Sequence, residues 1–326
     1  MNAVSYSPEH AAPWNAFVAK SKNGTFLFNR DYMDYHRDRF EDASLMIYDT
    51  SGELAAVFPA NRRNSTVISH GGLTYGGLVI GQEMGAARFL EVFAVLGGHL
   101  KAAGIESLVY KLVPFIYHLY PAEEDKYALF LLGAELYRRD LSSTILPMKR
   151  IPPRKGRKSD LSKAVRNGLH VEESGRWAEF WEILNTNLQV RHGMTPVHTL
   201  EEIQLLHSRF PNNIRLFTVL AESQAVAGTV IYETPQVAHT QYIGCSDAGR
   251  KSGALDMLLS HLLDRVYASK PYFNFGISTT DNGRFLNKGL ADFKESFGAR
   301  SVAQDCYRLN LLTADLAALK ADHTNG

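Results

Sequence analysis

The chain has 326 residues, of which 45% are hydrophobic and 21% charged, and its net charge is +1. This length exceeds that of a usual single domain, so we expect two globular domains, each with a sizeable core. The balanced charge creates no overall field that would attract nucleic acid or an acidic membrane, so DNA is not an expected partner.

Apolar residues nowhere form a run of about 18, and the start MNAVSYSPEHAAPW has neither a charged beginning nor an apolar stretch. We therefore expect no signal peptide, no membrane span and a cytoplasmic location. The two cysteines, Cys245 and Cys306, could pair, but in a chain of this kind they are expected to be reduced and structural.

The first half predicts strands followed by one helix and a further strand. A hairpin is expected over residues 44–48 and 54–61, then strands at 66–69 and 75–80. A helix follows with five apolar residues on one face, and a strand at 107–112 ends the series. The helix residues are Phe89, Val92, Phe93, Leu96 and Leu100.

A glycine-rich stretch, HGGLTYGGL at 70–78, stands out within this half. Glycine in a strand often marks the close approach of a ligand or of another backbone. His70 and Tyr75 are therefore candidate substrate-binding residues, and tight packing of the domain is the alternative.

The two halves are joined by KRIPPRKGRK at 149–158. A solvated linker is one interpretation, and a basic rim that attracts an anionic substrate is the other. The domains are accordingly predicted at 1–150 and 151–326. Ser159 is expected to cap a helix that stops at Gly168, and Thr199 and Glu202 form a capping box for a later helix.

The second half predicts three antiparallel strands at 214–220, 225–233 and 237–243. A glycine loop follows, then a helix from about Leu255 and a strand at 272–276. Backbone N–H groups of such a loop and the helix dipole can hold a phosphate. Because dinucleotide folds also use a glycine loop, the loop alone is a weak signal.

The element order of the first half matches that of the second, which indicates an internal duplication. Residues 81–86 and 249–254 share the spacing Gly-x-x-x-Gly-Ala. The first loop contains Gln82 and Glu83, whereas the second contains Arg250 and Lys251. Since carboxylates repel a pyrophosphate and cations attract it, only the second half is expected to bind an anionic cofactor.

This strand order, together with the block FNFGIS…NKGLADFKESFGA, resembles the GNAT superfamily of acyltransferases, in the branch of the FemAB-type peptidyltransferases. The resemblance implies an α/β fold of mixed α+β sheets, arranged as two tandem GNAT-like domains. It implies acyl-CoA as cofactor, either acetyl-CoA or a longer thioester, with the acceptor side on the first domain. The implied cofactor-binding residues are Ile243, Gly244, Cys245, Gly249, Arg250, Lys251, Ser252, Gly253 and Ala254.

Amide formation requires a group that takes a proton from the attacking amine. His239, Tyr242 and Asp281 are the catalytic candidates, because the first two lie on the strand before the loop and the third follows the strand NFGIS. His239 could instead be a surface residue of an edge strand, and Asp281 could belong to an ordinary turn.

Arg191 and His192 are further candidate substrate-binding residues, because they lie in a loop-like stretch, QVRHGMTPVHT. Lys288 and Lys294 could each contact a phosphate, but surface positions on a helix are favoured for both. Metal-ligand spacings such as Cys-x-x-Cys are absent from the sequence, so no metal is expected.

The sequence thus predicts an N-acyltransferase that moves an acyl group from acyl-CoA to a small-molecule amine, which the resemblance suggests is an amino sugar or a cell-envelope precursor. One alternative is a FemX-like transferase that takes its donor from aminoacyl-tRNA, although a net charge of only +1 argues against tRNA. The other is a non-catalytic binding protein of the same fold.

Overall fold

The structure is a computed structural model that describes residues 1–319, except the side chains of residues 191 and 192. Ten α-helices and seventeen strands are assigned within the described residues. Up to residue 145 these are β1 (Asn2–Ser5), α1 (Ala11–Lys20), α2 (Arg30–Met33), β2 (Glu41–Asp42), β3 (Leu45–Tyr48), β4 (Leu54–Phe58), β5 (Asn61–Arg63), β6 (Thr66–Ile68), β7 (Val79–Ile80), α3 (Ala86–Ala102), β8 (Ser107–Lys111), α4 (Glu124–Leu131) and β9 (Glu135–Ile145).

After residue 145 they are α5 (Lys155–Arg166), β10 (His170–Glu173), α6 (Trp177–His192), α7 (Leu200–Arg209), β11 (Ile214–Ala221), β12 (Gln224–Glu233), β13 (Val237–Cys245), α8 (Asp247–Ser252), α9 (Ala254–His261), β14 (Tyr272–Ile277), β15 (Thr279–Thr280), β16 (Phe285–Leu286), α10 (Lys288–Glu295) and β17 (Arg300–Asn310). A π-helical turn, Leu262–Val266, extends α9.

The chain forms two compact units. The first contains Met1–Asp140, Asn282–Arg284 and residues 303–319, and the second contains Leu141–Asp281 and Phe285–Val302. Strands β9 and β17 therefore each supply residues to both units. The division between the units therefore differs from the boundary predicted after residue 150. Strand β9 begins in the first unit and ends in the second, whereas β17 begins in the second and ends in the first.

In the first unit, β1, β3, β4 and β7 form one antiparallel sheet. In its other sheet, β6 runs parallel to β8, and the end of β17 pairs antiparallel with β8, Cys306 opposite Lys111. Helix α3 buries its predicted apolar face in the core of this unit, as expected for an amphipathic helix.

In the second unit, β10 to β13 form an antiparallel series. β14 pairs parallel with β13 on one side and antiparallel with the end of β9 on the other. Helix α6 contacts β12 and β13, and α9 contacts β11 and β12. Side chains of α9 share a buried core with Phe273 and Phe275 of β14, while Phe180 of α6 lies against Gly228 and Gly244. The two helices thus cover opposite faces of the sheet.

The predicted mixed α/β class is confirmed, and so are the strands β11 to β14, the capping box at Thr199 and the helix end at Gly168. Four local predictions are wrong. Of the strand predicted at 75–80, only residues 79 and 80 form a strand. Arg191 and His192, expected in a loop, end helix α6. Helix α5 begins at Lys155, which places Ser159 inside it. The predicted loop before α9 is mostly helix α8, because the Ser246 Oγ caps a new helical turn by accepting the Gly249 N–H at 3.1 Å.

Cys245 and Cys306 are both buried thiols and form no disulfide within the described chain. None of the described helices has the length and apolar character that crossing a bilayer requires.

Candidate active site

Strands β13 and β14 diverge after three paired residues. Their parallel pairing covers Val237, Ala238 and His239 of β13, and in the described chain it does not continue toward Cys245. β13 nevertheless stays paired with β12 as far as Cys245. The divergence opens a wedge between the second half of β13 and the end of β14, and we call this space the wedge.

A β-bulge directs two predicted catalytic residues to one face of the sheet. Thr240 pairs with Ile231 and Tyr242 with Val230, so Gln241 is the extra residue. The partners of His239 and Tyr242 are Tyr232 and Val230, which lie two positions apart and hence on the same face. Without the bulge, the two side chains would point to opposite faces.

A buried amide fixes the ring of His239 at the point where the strands separate. Asn274 accepts hydrogen bonds at its Oδ1 from the backbone of Gly276 (2.8 Å) and from the Nδ1 of His239 (2.7 Å). Its Nδ2 donates to the hydroxyls of Ser142 (2.5 Å) and Thr144 (2.8 Å). Since Asn274 Oδ1 can only accept, the Nδ1 of His239 carries the proton, and the Nε2 carries the lone pair.

The electrostatic surroundings keep the imidazole of His239 neutral. Burial, which outweighs the hydrogen bond that His239 donates to Asn274, lowers the pKa of His239 to about 4, and the positive charge of Lys294 acts in the same direction. At neutral pH the ring is therefore a proton acceptor at Nε2.

Lys294 is buried, contrary to the surface position expected for it. Its Nζ donates to the carbonyl oxygens of Gly276 (2.9 Å) and Ile277 (2.6 Å), and the described chain places no carboxylate in a salt bridge with it. Burial lowers the pKa of Lys294 to about 7. The ammonium fixes the carbonyl groups at the end of β14, where the wedge opens.

Tyr242 contacts α6 and the loop before α7. Its ring meets Trp181 edge to face, and its hydroxyl lies 2.6 Å from the Nδ1 of His198 and accepts the His198 backbone N–H at 3.2 Å. Burial raises the pKa of Tyr242 to about 12. The phenol is therefore a proton donor at neutral pH and not a base.

The end of β13 is tied to α6 and α8 by side chains. Asn187 Nδ2 donates to the carbonyl of Cys245 at 3.1 Å, and Arg250 Nη1 donates to the same carbonyl at 2.8 Å. Arg250 also donates to Asn187 Oδ1, at 3.1 and 2.5 Å, and its Nε donates to Asp247 at 3.4 Å. The guanidinium is thus largely engaged within the protein.

The predicted cofactor-binding residues occupy different surroundings. Six of them are buried or hydrogen-bonded within the protein: Gly244, Cys245, Gly249, Ser252, Gly253 and Ala254. Ile243 is partly buried and packs against the core that contains α9. A Cβ at Gly249 would lie 2.4 Å from the Val226 carbonyl oxygen, so this glycine serves packing against β12. Lys251 is exposed and forms no ion pair with any described residue.

The start of helix α8 and Lys251 offer groups that can bind a pyrophosphate. The amides of Asp247 and Ala248 begin α8 and have no acceptor within the helix, and Lys251 is one turn further on. The exposed carboxylate of Asp247, beside them, opposes an anion. Coenzyme A would thus be held by two amides and one lysine. The binding roles remain predictions.

Asp281 lies in the turn between β15 and β16. It is exposed, and Asp281, Asn282 and Gly283 all have positive φ angles, of 48°, 53° and 82°. This geometry is that of a hairpin turn, the alternative interpretation of the sequence. The catalytic role of Asp281 remains a prediction without a contact to support it.

His70 and Tyr75 lie inside the first unit. Tyr75 is buried, donates to the Thr25 hydroxyl at 3.0 Å and contacts the Tyr117 ring. His70 has a φ of 55° and lies beside the rings of His36 and Phe40, and burial lowers its pKa to about 3. Arg191 and His192 are predicted to bind substrate, but their side chains lie outside the described residues.

Three residues of the site were not predicted from the sequence: Asn187, His198 and Asn274. Asn274 lies between two apolar residues that point to the opposite face, in YFNFGI. A polar residue at an inward position of an apolar strand is the signal that could have identified it. Asn187 and His198 lie in helical or loop stretches without such a signal.

Residues 154–295 match a protein family described as an acetyltransferase (GNAT) domain. The match contains β13, α8, β14 and α10, and hence His239, Tyr242, Asn274 and Lys294. Among curated protein sequences, none matches the chain.

Solved structures with a similar fold cover nearly the whole chain. FemX is 12% identical, with a TM-score of 0.65, and the alignment covers 94% of this chain and 97% of FemX. L-PGS from Bacillus licheniformis is 14% identical, with a TM-score of 0.61 and coverage of 97% and 95%. A tandem GNAT protein from the clavulanic acid biosynthesis pathway is 9% identical, with a TM-score of 0.50 and coverage of 96% and 99%.

At these identities the similarity concerns the fold, and it agrees with the predicted tandem arrangement. The assignment to a family rests on the sequence match of the second half. Residues 154–295 match an acetyltransferase (GNAT) domain, which supports an acyltransferase, and the fold of the whole chain is similar to that of a tandem GNAT protein.

Proposed function

We propose that the protein is an N-acyltransferase that moves an acyl group from acyl-CoA to the amine of a small molecule. The observation that carries the proposal is the neutral imidazole of His239, held by Asn274 where β13 and β14 separate. A base at this position can take a proton from an amine that attacks a thioester in the wedge.

The chemical step needs three contributions from this chain. His239 accepts the proton of the amine at Nε2, because its Nδ1 is committed to Asn274. Backbone N–H groups of β13 beyond His239, which β14 leaves unpaired, polarise the thioester carbonyl. Tyr242, protonated because burial raises its pKa to about 12, donates a proton to the leaving group.

Lys294 acts as a positioning residue in this scheme. Its hydrogen bonds to the carbonyl groups of Gly276 and Ile277 fix the β14 side of the wedge. Its charge also helps to keep His239 deprotonated. Coenzyme A supplies the activated thioester, and Lys251 with the first amides of α8 holds its pyrophosphate.

The acceptor is proposed to be an amino sugar or another cell-envelope precursor, used in the cytoplasm. The similarity to FemX supports a second candidate, in which an aminoacyl-tRNA is the donor. The catalytic residues would be the same. An amine that attacks an aminoacyl ester also needs a base to take its proton and N–H groups to polarise the carbonyl.

Ligand-induced changes in melting temperature distinguish the two donors. A ligand that binds only the folded state raises the melting temperature. Acetyl-CoA or a longer acyl-CoA should raise it, and the rise should shrink in the Lys251→Glu variant. A rise with aminoacyl-tRNA alone would favour the second donor, and no rise with any of them would contradict both.

Turnover is the second readout. Release of free coenzyme A thiol in the presence of a panel of amines, amino sugars first, would identify the acceptor. Thiol release by the wild type that is absent in His239→Gln supports the proposed chemistry. Equal rates in the two proteins would exclude His239 as the base.

A further inference from the structure

The segment from residue 146 to residue 168 concentrates positive charge that the proposed chemistry does not use. We call it the basic segment. It contains eight lysines and arginines and one acidic residue, Asp160, so its net charge is +7, whereas the whole chain has a net charge of +1. The overall balance of charge thus conceals a strongly cationic surface of the second unit.

Most of these cations are not neutralised. Arg150 forms a salt bridge with Asp264 at 2.5 Å, and Arg157 forms one with Asp256 at 3.3 Å. The other six are exposed, and none forms a salt bridge with any residue that the structure describes. They are Lys149, Arg154, Lys155, Lys158, Lys163 and Arg166.

Apolar side chains are exposed between these cations. Met148 is 76% exposed, Val165 62%, Leu146 46% and Ile151 42%. Single exposed apolar residues are ordinary, and these four are of interest because they accompany the cations of the same segment. The combination of lysine and arginine with exposed aliphatic groups is typical of segments that lie on a bilayer surface.

The basic segment is anchored to the second unit and is not a loose linker. Arg154 N donates to the Ser296 carbonyl at 2.9 Å, and Arg157 Nε donates to the Ser296 Oγ at 2.9 Å. Helix α5 packs on α9 and buries Ala164. The cations and apolar groups are therefore presented on a folded surface.

We propose that the basic segment binds the surface of a bilayer that contains anionic lipids. Charge complementarity supplies the attraction, and Met148 and Val165 insert among the acyl chains. An RNA strand would satisfy the charge, but it would leave the aliphatic groups without a partner. The segment also contains no aromatic residue, the type on which bases stack. This binding does not depend on the chemistry proposed above.

Sedimentation with vesicles tests the proposal. The full chain should bind vesicles of about 30% phosphatidylglycerol in phosphatidylcholine, and binding to pure phosphatidylcholine should be at least about tenfold weaker. Changing Lys149, Lys155 and Arg166 together to Gln should weaken binding to the anionic vesicles about a hundredfold. A matched control changes three exposed cations elsewhere that form no salt bridge with a described residue, Lys20, Arg63 and Arg265, and should have little effect.

The apolar contribution is tested separately. Met148→Gln with Val165→Gln keeps the charge and should weaken vesicle binding about tenfold, also at high salt. Circular dichroism confirms that each variant is folded. The proposal is overturned if the wild type does not bind anionic vesicles, or if the control variant loses as much binding as the test variant. It is also overturned if the test variant loses affinity for unacylated tRNA but not for vesicles.

Discussion

At the scale of single residues, the site depends on how two buried groups respond to their surroundings. Asn274 fixes the tautomer of His239, and burial keeps that imidazole neutral. Burial also lowers the pKa of Lys294, whose partners in the sheet are carbonyl groups and not carboxylates. Both effects come from desolvation, which disfavours the charged form of a base.

His239→Gln should lower kcat by roughly 10² to 10⁴ at neutral pH, because the amine loses its proton acceptor. Binding of the acyl donor, measured by calorimetry, should change little. His207→Gln is a matched control, since His207 is also partly buried and bonded to a carbonyl, Ile214 O, but lies outside the wedge. Wild-type turnover in His239→Gln would show that positioning alone drives the reaction.

Lys294→Met should change how stability depends on pH. The pKa of Lys294 is about 7 in the folded protein and about 10.4 in an unfolded chain. Between these values the unfolded state binds more protons, so the free energy of unfolding of the wild type rises with pH. The variant lacks this contribution, so the wild type should gain a few kcal/mol relative to it between about pH 7 and pH 10.

Urea unfolding at several pH values measures this difference. Lys288→Met is the control, because Lys288 begins the same helix but is exposed. A difference between wild type and Lys294→Met that stays constant across this range would show that Lys294 titrates normally.

At the scale of elements, the region after β13 is a short helix, a break and a second helix. Gly253 forms the break with a φ of 82°, and a Cβ there would lie 2.3 Å from the Asp160 carbonyl oxygen of α5. Gly253→Ala should therefore destabilise the protein by about 1–3 kcal/mol or more in chemical denaturation. Gly156→Ala, in open space within α5, should instead stabilise it by about 0.5–1 kcal/mol.

The two cations of α8 should respond differently to charge reversal. Lys251→Glu should weaken acyl-CoA binding by about 1–3 kcal/mol with an unchanged melting temperature, because Lys251 is exposed and unpaired among the described residues. Arg250→Glu should also lower the melting temperature, since Arg250 holds Asn187 and the Cys245 carbonyl. Arg265→Glu is the exposed control. Calorimetry with unchanged affinity for Lys251→Glu would refute the proposed cofactor site.

The elements differ in how far the sequence predicts them. Runs rich in apolar and β-branched residues are sufficient to identify β11 to β13. Helix α8 was missed because its glycines indicate a loop, whereas Ser246 and the packing of Gly249 on Val226 favour a helical turn. The burial of Lys294, on helix α10, is not predicted because its carbonyl partners come from a distant element, strand β14.

At the scale of the whole molecule, two strands link the halves of the chain in a way that local pattern does not show. Residues 306–310 of β17 pair with β8 in the first unit, and residues 142–145 of β9 pair with β14 in the second. The sequence predicts the tandem arrangement, because the element order repeats. The sequence does not show which partner strand β9 or β17 will pair with, since local β-propensity does not identify the partner.

Separate expression of the two predicted domains tests whether each one needs the strand residues that the other half of the chain supplies. Fragment 1–150 lacks the β17 residues that pair with β8, and fragment 151–326 lacks the β9 residues that pair with β14. Each would expose an unpaired strand edge and lose part of a core, such as Leu309 in the first unit and Ile145 in the second. Neither should unfold cooperatively alone in near-ultraviolet circular dichroism, whereas the co-expressed fragments should associate and recover the native signal. Cooperative unfolding of either isolated fragment would show that the halves are independent domains.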